Sequence, residues 1–204
     1  MSAERIHLHP ENPQSRLIGH IIAELMQGSV LVLPTDSGYS FACAMDQKEA
    51  MAQIIRIREL DKHHLFSLLC PDIQSIANCA YISNHNFRLL KAHTPGPFTF
   101  VLEASKNVPK RLWQTKRKTI GIRVPDNIAC QSILQIYGEP IMVVSLNLPE
   151  IDELYYYDID WIFDQVMNQV DMVVDVGNLP LLPTTVVDLT GEQVLVLRQG
   201  EGML

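Results

Sequence analysis

Charge of one sign is missing from two long stretches of this chain. No Asp or Glu lies between Glu103 and Asp126, and no Lys or Arg lies from Val124 to Leu197. The acid-free gap holds Lys106, Lys110, Arg111, Lys116, Arg117, Lys118 and Arg123, in a chain of formal net charge -7. Segregation of this kind creates a local positive potential that the net charge hides. It points to a compact anion bound at one place, a nucleotide or a short stretch of RNA, and argues against a general polyanion-binding surface.

Other absences narrow the class further. Cys43, Cys70, Cys79 and Cys130 are scattered without paired spacing, which predicts neither a disulfide framework nor a zinc site and reads most plainly as reduced, buried thiols. The N-terminal MSAERIHLHPENP has no apolar core for a signal peptide. No apolar run approaches the roughly 20 residues that span a bilayer, so a soluble cytoplasmic protein without a membrane partner is expected. There is no G-x-x-x-x-G-K-[ST] loop, no G-x-G-x-x-G after a strand, no H-E-x-x-H and no G-x-S-x-G. The adjacent His63 and His64 make a poor metal pair, since neighbouring side chains rarely point at one ion. No metal ligands are assigned.

What is present describes one α/β domain over residues 1–204. Hydrophobic residues make up 47% and charged residues 19%, enough for a substantial core. Pro13 to Gln27 reads as a helix with Asn12 as its cap and Gly28 as its stop. Leu17, Ile18, Ile21, Ile22, Leu25 and Met26 share one face of it. Ser29 to Pro34 is a short apolar strand, and Tyr39 to Ala44 follows as a second. Asp46 starts a helix reaching Arg58, Asp72 and Ser83 each look like helix starts, and a further helix runs near Asn127 to Tyr137. Ser67 to Cys70, Phe98 to Leu102, Thr119 to Val124, Ile141 to Ser145, Met172 to Val174, Thr185 to Leu189 and Val194 to Leu197 are the remaining strand candidates. Helices interleaved with strands and hairpins predict a mixed sheet covered on both sides.

The residues with chemistry to offer sit at strand ends, where the loops of an α/β sheet converge on a crevice. Pro34-Thr35-Asp36-Ser37-Gly38-Tyr39 places two hydroxyls, a carboxylate and a glycine turn directly after a buried strand. An ordinary Asp-Ser-Gly turn fits it equally well. Arg56 and Arg58 close a helix, either as cations favourable at its C-terminus or as a clamp on phosphate. In TIGIRV, Arg123 is out of phase with Ile120, Ile122 and Val124, so it faces a cavity if that side of the sheet is open. Ser145-Leu146-Asn147 follows IMVV, Thr184-Thr185 opens TTVVDL, and Arg198 ends VLVL. The acidic, aromatic stretch 150–164 reads as a lid, a partner surface or a packed amphipathic segment.

With these residues assembled, the chain resembles the YrdC-like family, in its YciO-like branch. The blocks are PTDSGY, IIRIREL, TPGPFTFVL, KRKTIGIRVPDN, VVSLN and PTTVVDL, in the family's order, over about residues 12–200. The resemblance implies a twisted mixed sheet of about seven strands flanked by helices, around a basic concave cavity. Family members of known activity are threonylcarbamoyl-AMP synthases, nucleotidyltransferases that join L-threonine, bicarbonate and ATP, releasing pyrophosphate, on the way to the t6A base of tRNA.

Carried over residue by residue, the resemblance implies catalytic roles for Arg56, Arg58, Ser145 and Asn147. It places L-threonine against Thr35, Arg123 and Thr184, and the nucleotide against Arg56, Arg58, Thr119, Asn147 and Arg198. ATP would be a substrate, with Mg2+, and no tightly bound cofactor is implied. Some members also bind double-stranded RNA, so tRNA or double-stranded RNA on Lys110, Arg111, Lys116, Arg117 and Lys118, without synthase activity, is the alternative. Three departures from the synthases lie on the nucleotide side. Arg56 stands where they have lysine, ELDKHHLFSLLC replaces a proline-rich turn, and Leu-Pro-Glu follows Asn147 in place of a Ser-Gly turn.

Overall fold

Three short polar side chains begin helices by one kind of contact. Asp72 accepts a hydrogen bond from the Ser75 backbone N–H at 2.7 Å, Ser83 from Asn86 at 3.1 Å, and Asn127 from Cys130 at 3.0 Å. Each satisfies a donor that the first helical turn leaves free. The computed structural model describes residues 2–61, 64–114, 116–149, 151 and 155–204. Its helices are α1 (Ser15–Gln27), α2 (Lys48–Arg58), α3 (Ile73–Cys79), α4 (Asn84–His93), α5 (Ile128–Tyr137) and α6 (Ile159–Val166). Gly28 ends α1 at φ 90, a left-handed turn that glycine adopts without steric cost. Asn12 and Asp46 do not cap. Gln14 and Gln47 hold those positions without a side-chain bond.

The strands are β1 (Glu4–His7), β2 (Leu31–Thr35), β3 (Gly38–Ala44), β4 (Ser67–Leu69), β5 (Phe98–Glu103), β6 (Thr119–Arg123), β7 (Ile141–Ser145), β8 (Met172–Asp175), β9 (Thr185–Asp188) and β10 (Leu195–Arg198). They form one sheet in the order β1-β8-β2-β3-β7-β4-β6-β5-β9-β10. The sheet is mixed: β1/β8, β2/β8, β4/β6 and β5/β9 are parallel, the other neighbours antiparallel. Among the described residues the sheet has ten strands, not the about seven that the resemblance implied for this layered fold. Apolar runs mark every strand except β1, whose Glu4, Arg5 and His7 carry no such pattern. Pairing with the buried β8 recruits it.

Two apolar clusters lie on opposite faces. One gathers alternate residues such as Val32, Phe41, Leu68, Phe100, Ile120, Ile122 and Val187 with α2 and α6. The other joins Leu31, Leu33, Ala42, Leu69, Val143 and Val174 to α1 and α5. This second face decides where a site can form. Ala42 and Leu69 lie beneath the two helices, but their same-face neighbours Ser40 and Ser67, two residues away, line an open cavity. Helices α1 and α5 thus cover part of that face, and the rest opens onto the cavity. All four cysteines are buried, as expected. Among the described residues, no helix is long and apolar enough to cross a membrane.

Candidate functional site

A cavity of about 350 Å³ occupies the uncovered part of the sheet. Its floor is made by strand alternation. In β6, Ile120 and Ile122 go to the core while Gly121 and Arg123 face the cavity. In β5, Phe98, Phe100 and Leu102 go to the core while Thr99 and Val101 face it. Ser40, Ser67 and Ser145 repeat the pattern in β3, β4 and β7. A Cβ on Gly121 would stand 2.7 Å from Ser67 Oγ and 3.2 Å from Thr99 Cγ2. Glycine therefore keeps the floor low at this point.

Three arginines enter from different elements. Arg58 comes from the end of α2, Arg123 from β6 and Arg198 from β10. Arg123 is buried and ion-paired: one terminal nitrogen meets Asp36 Oδ1 at 2.6 Å and the other donates to Ser37 Oγ at 2.9 Å. Burial lowers the Arg123 pKa, and the Asp36 carboxylate opposes that shift. Burial likewise raises the pKa of Asp36, and Arg123 pulls it back. Arg198 donates to the Thr184 carbonyl at 2.8 Å, and Thr184 Oγ1 lies 2.7 Å from Thr99 Oγ1. Arg58 is half-buried, with a pKa lowered by burial.

The cavity wall holds hydrogen-bonding capacity that the protein does not use. Arg58 Nε, Arg123 Nε and Asn147 Oδ1 are buried and have no hydrogen-bond partner. Each residue lines the cavity. A buried polar atom left unpaired costs roughly 1–3 kcal/mol, so two donors and one acceptor around one cavity suit a polar ligand with an anionic group.

The remaining expected site residues divide. Arg58, Arg123, Ser145, Asn147, Thr184 and Arg198 come together here. Thr35 stays behind the wall, where its hydroxyl donates to the Gly38 carbonyl at 2.7 Å and accepts from the Ser37 N–H. It shapes the turn that presents Ser37. Thr119 is buried at the far end of β6 and does not line the cavity. Arg56 is exposed and borders a separate depression with Leu148 and Gln169. Lys110 and Arg111 lie in a short 3-10 turn, where Arg111 donates to the Met45 carbonyl, and Lys116 to Lys118 form an exposed turn. Of the cations in the acid-free stretch, all among the described residues, Arg123 alone lines the cavity. His63 lies outside the described residues, as do 150 and 152–154 of the acidic stretch, while His64 lines the cavity. Ser40, Ser67, Thr99 and Gly121 were not singled out in the sequence. Their signal is a small or polar residue at every second position of an otherwise apolar strand.

A family model named Sua5_yciO_yrdC, described as telomere recombination, matches residues 23–200. The chain belongs to this family. Within it, an uncharacterised protein of Haemophilus influenzae is 46% identical over 96% of this chain and 95% of its own length. YciO of Escherichia coli K12 is 44% identical over the same shares. The crystal structure of E. coli YciO superposes with a TM-score of 0.93, covering 98% of this chain and 97% of that one, at 43% identity. P. abyssi Sua5 in complex with L-threonine shares the fold, with a TM-score of 0.87 at 20% identity, over 96% of this chain and 57% of Sua5. A threonylcarbamoyl-AMP synthase of Vibrio vulnificus is 26% identical over 88% of this chain. The Sua5/YciO/YrdC fold here is a single α/β domain, and the family includes enzymes of threonylcarbamoyl-AMP synthesis.

Proposed function

We propose that the cavity binds ATP together with a small amino acid, and that the chain forms or processes an adenylate of the threonylcarbamoyl-AMP kind. The observation that carries this reading is the trio of unpaired buried atoms, Arg58 Nε, Arg123 Nε and Asn147 Oδ1, in residues that line one cavity. Guanidiniums suit phosphate and carboxylate oxygens, and a side-chain carbonyl suits an amine. Arg58 and Arg198 would hold phosphates, Arg123 and Thr184 the amino-acid end, and Ser145 and Asn147 the adenylate. The threonine-bound Sua5 relative supports the choice of L-threonine.

The chemistry needs no covalent nucleophile. The amine of L-threonine condenses with bicarbonate to a carbamate, forming the N–C bond as a C–O bond breaks and water leaves, and a carbamate oxygen attacks the α-phosphorus of ATP. The bond from that phosphorus to the bridging oxygen breaks, and pyrophosphate leaves. Placement and charge neutralisation are what such a displacement requires. No carboxylate among the described residues lines the cavity, so magnesium would arrive coordinated by the phosphates of ATP. Calorimetry tests the reading: ATP should bind, and L-threonine should bind more tightly with ATP present than without it. Failure to bind ATP at all would end it.

A second reading has one observation in its favour. Lys116, Arg117 and Lys118 are exposed on a turn clear of the cavity, where double-stranded RNA or tRNA has access. Such binding would weaken steeply as salt rises, because phosphate contacts release counterions.

A further inference from the structure

Three guanidiniums, those of Arg58, Arg123 and Arg198, line the cavity, and among the described residues no carboxylate does. Burial lowers the pKa of the His64 imidazole, Arg58 adds to the effect and Asp61 opposes it, which favours the neutral ring. Taken alone, this wall favours a polyphosphate. One layer behind it, Asp36 holds Arg123 at 2.6 Å, with both side chains almost fully buried. A pair so close and so dry cancels most of its own field at a distance. Arg198 lies within electrostatic reach of Arg123 and disfavours its charge, so Asp36 also relieves repulsion between these two arginines.

Three guanidiniums less one carboxylate leave 3 − 1 = 2 positive charges for a ligand. They come from different elements, Arg58 from the end of α2 and Arg198 from the end of the edge strand β10. We propose that Asp36 is a specificity-determining residue, which offsets the charge of Arg123 and so tunes the cavity to a ligand of two negative charges in preference to a free polyphosphate. An acyl adenylate that retains its amino-acid carboxylate has that pattern, with one charge on the mixed-anhydride phosphate and one on the carboxylate. The inference rests on the nucleotide reading above and adds to it a filter on charge. The filter lets the intermediate stay while pyrophosphate departs.

Calorimetry with two probes, AMP and inorganic pyrophosphate, tests it on the wild type, Asp36→Asn, Arg123→Gln and the double variant. Asp36→Asn is expected to bind pyrophosphate about tenfold more tightly, with a change of less than about threefold for AMP. Arg123→Gln is expected to lose about tenfold for pyrophosphate, and the double variant, whose net charge is that of the wild type, to return to within about threefold. The double variant also decides the matter if Asp36→Asn, with its unpaired buried guanidinium, fails to fold. An unchanged preference in Asp36→Asn overturns the proposal, and so does a double variant as weak as Arg123→Gln alone. If the wild type binds neither probe, the nucleotide reading falls. The role of Asp36 then survives only where Asp36→Asn gains pyrophosphate binding, and otherwise falls with it.

Discussion

Arg56 and Arg58 are two residues apart in one helix, and the helix assigns them opposite surroundings. Side chains two positions apart diverge by about 200° around a helix of 3.6 residues per turn. Arg58 therefore enters the cavity and Arg56 turns out to solvent. Replacing Arg58 with alanine removes a charge-assisted contact of roughly 1.5–3 kcal/mol, and ATP affinity measured by calorimetry should fall tenfold or more. Arg56→Ala changes an exposed surface position and should stay within about 0.5 kcal/mol, roughly twofold. Equal losses in both variants would contradict the placement. Arg123→Ala should weaken L-threonine by about tenfold or more, since it removes the donor with the unpaired Nε. The direction of Arg123 was legible from its phase against Ile120 and Ile122. Its pairing with Asp36 was not, because the partner lies on a turn 87 positions away in sequence.

Elements with local causes were the legible ones. Asp72, Ser83 and Asn127 cap the helices they were expected to start, since a cap is written in the next three residues. Helix α6 was not separated from the acidic stretch, although Asp158 caps it by accepting from Asp160 and Trp161. Its buried stripe of Ile159, Ile162 and Val166 is interrupted by acids and aromatics. Strand β1 depends wholly on its partner β8. The floor of the cavity also belongs to this scale, because it exists only when β3 to β7 are laid side by side. Gly121→Ala puts a methyl group 2.7 Å from Ser67 Oγ and 3.2 Å from the Phe66 carbonyl. Overpacking of this kind costs about 1–3 kcal/mol, so the denaturation midpoint should drop and ATP affinity with it. A stable variant with undiminished ATP binding would show that the floor is not part of the site.

At the scale of the molecule, the acid-free stretch divides its charge between two places. Arg123 goes inward, while Lys116, Arg117 and Lys118 stay on an exposed turn, where Arg117 approaches Asp188 at 3.3 Å. The local positive potential inferred from sequence is thus not the potential of the cavity, which is assembled by Arg58, Arg123 and Arg198 from distant parts of the chain. Binding at the two places should be separable. Neutralising Lys116, Arg117 and Lys118 together should leave ATP affinity within about twofold, while any RNA affinity falls and loses salt dependence. A matching loss of ATP binding would mean that the turn belongs to the site.

Formation of the adenylate proposed for this cavity would join a carbamate to the adenylyl group of ATP and release pyrophosphate. The most direct test is pyrophosphate release by the purified protein, with L-threonine and bicarbonate each supplied or withheld. Release that requires both is the expected result. Release indifferent to L-threonine, or none at all from protein that binds ATP and L-threonine together, would contradict the claim.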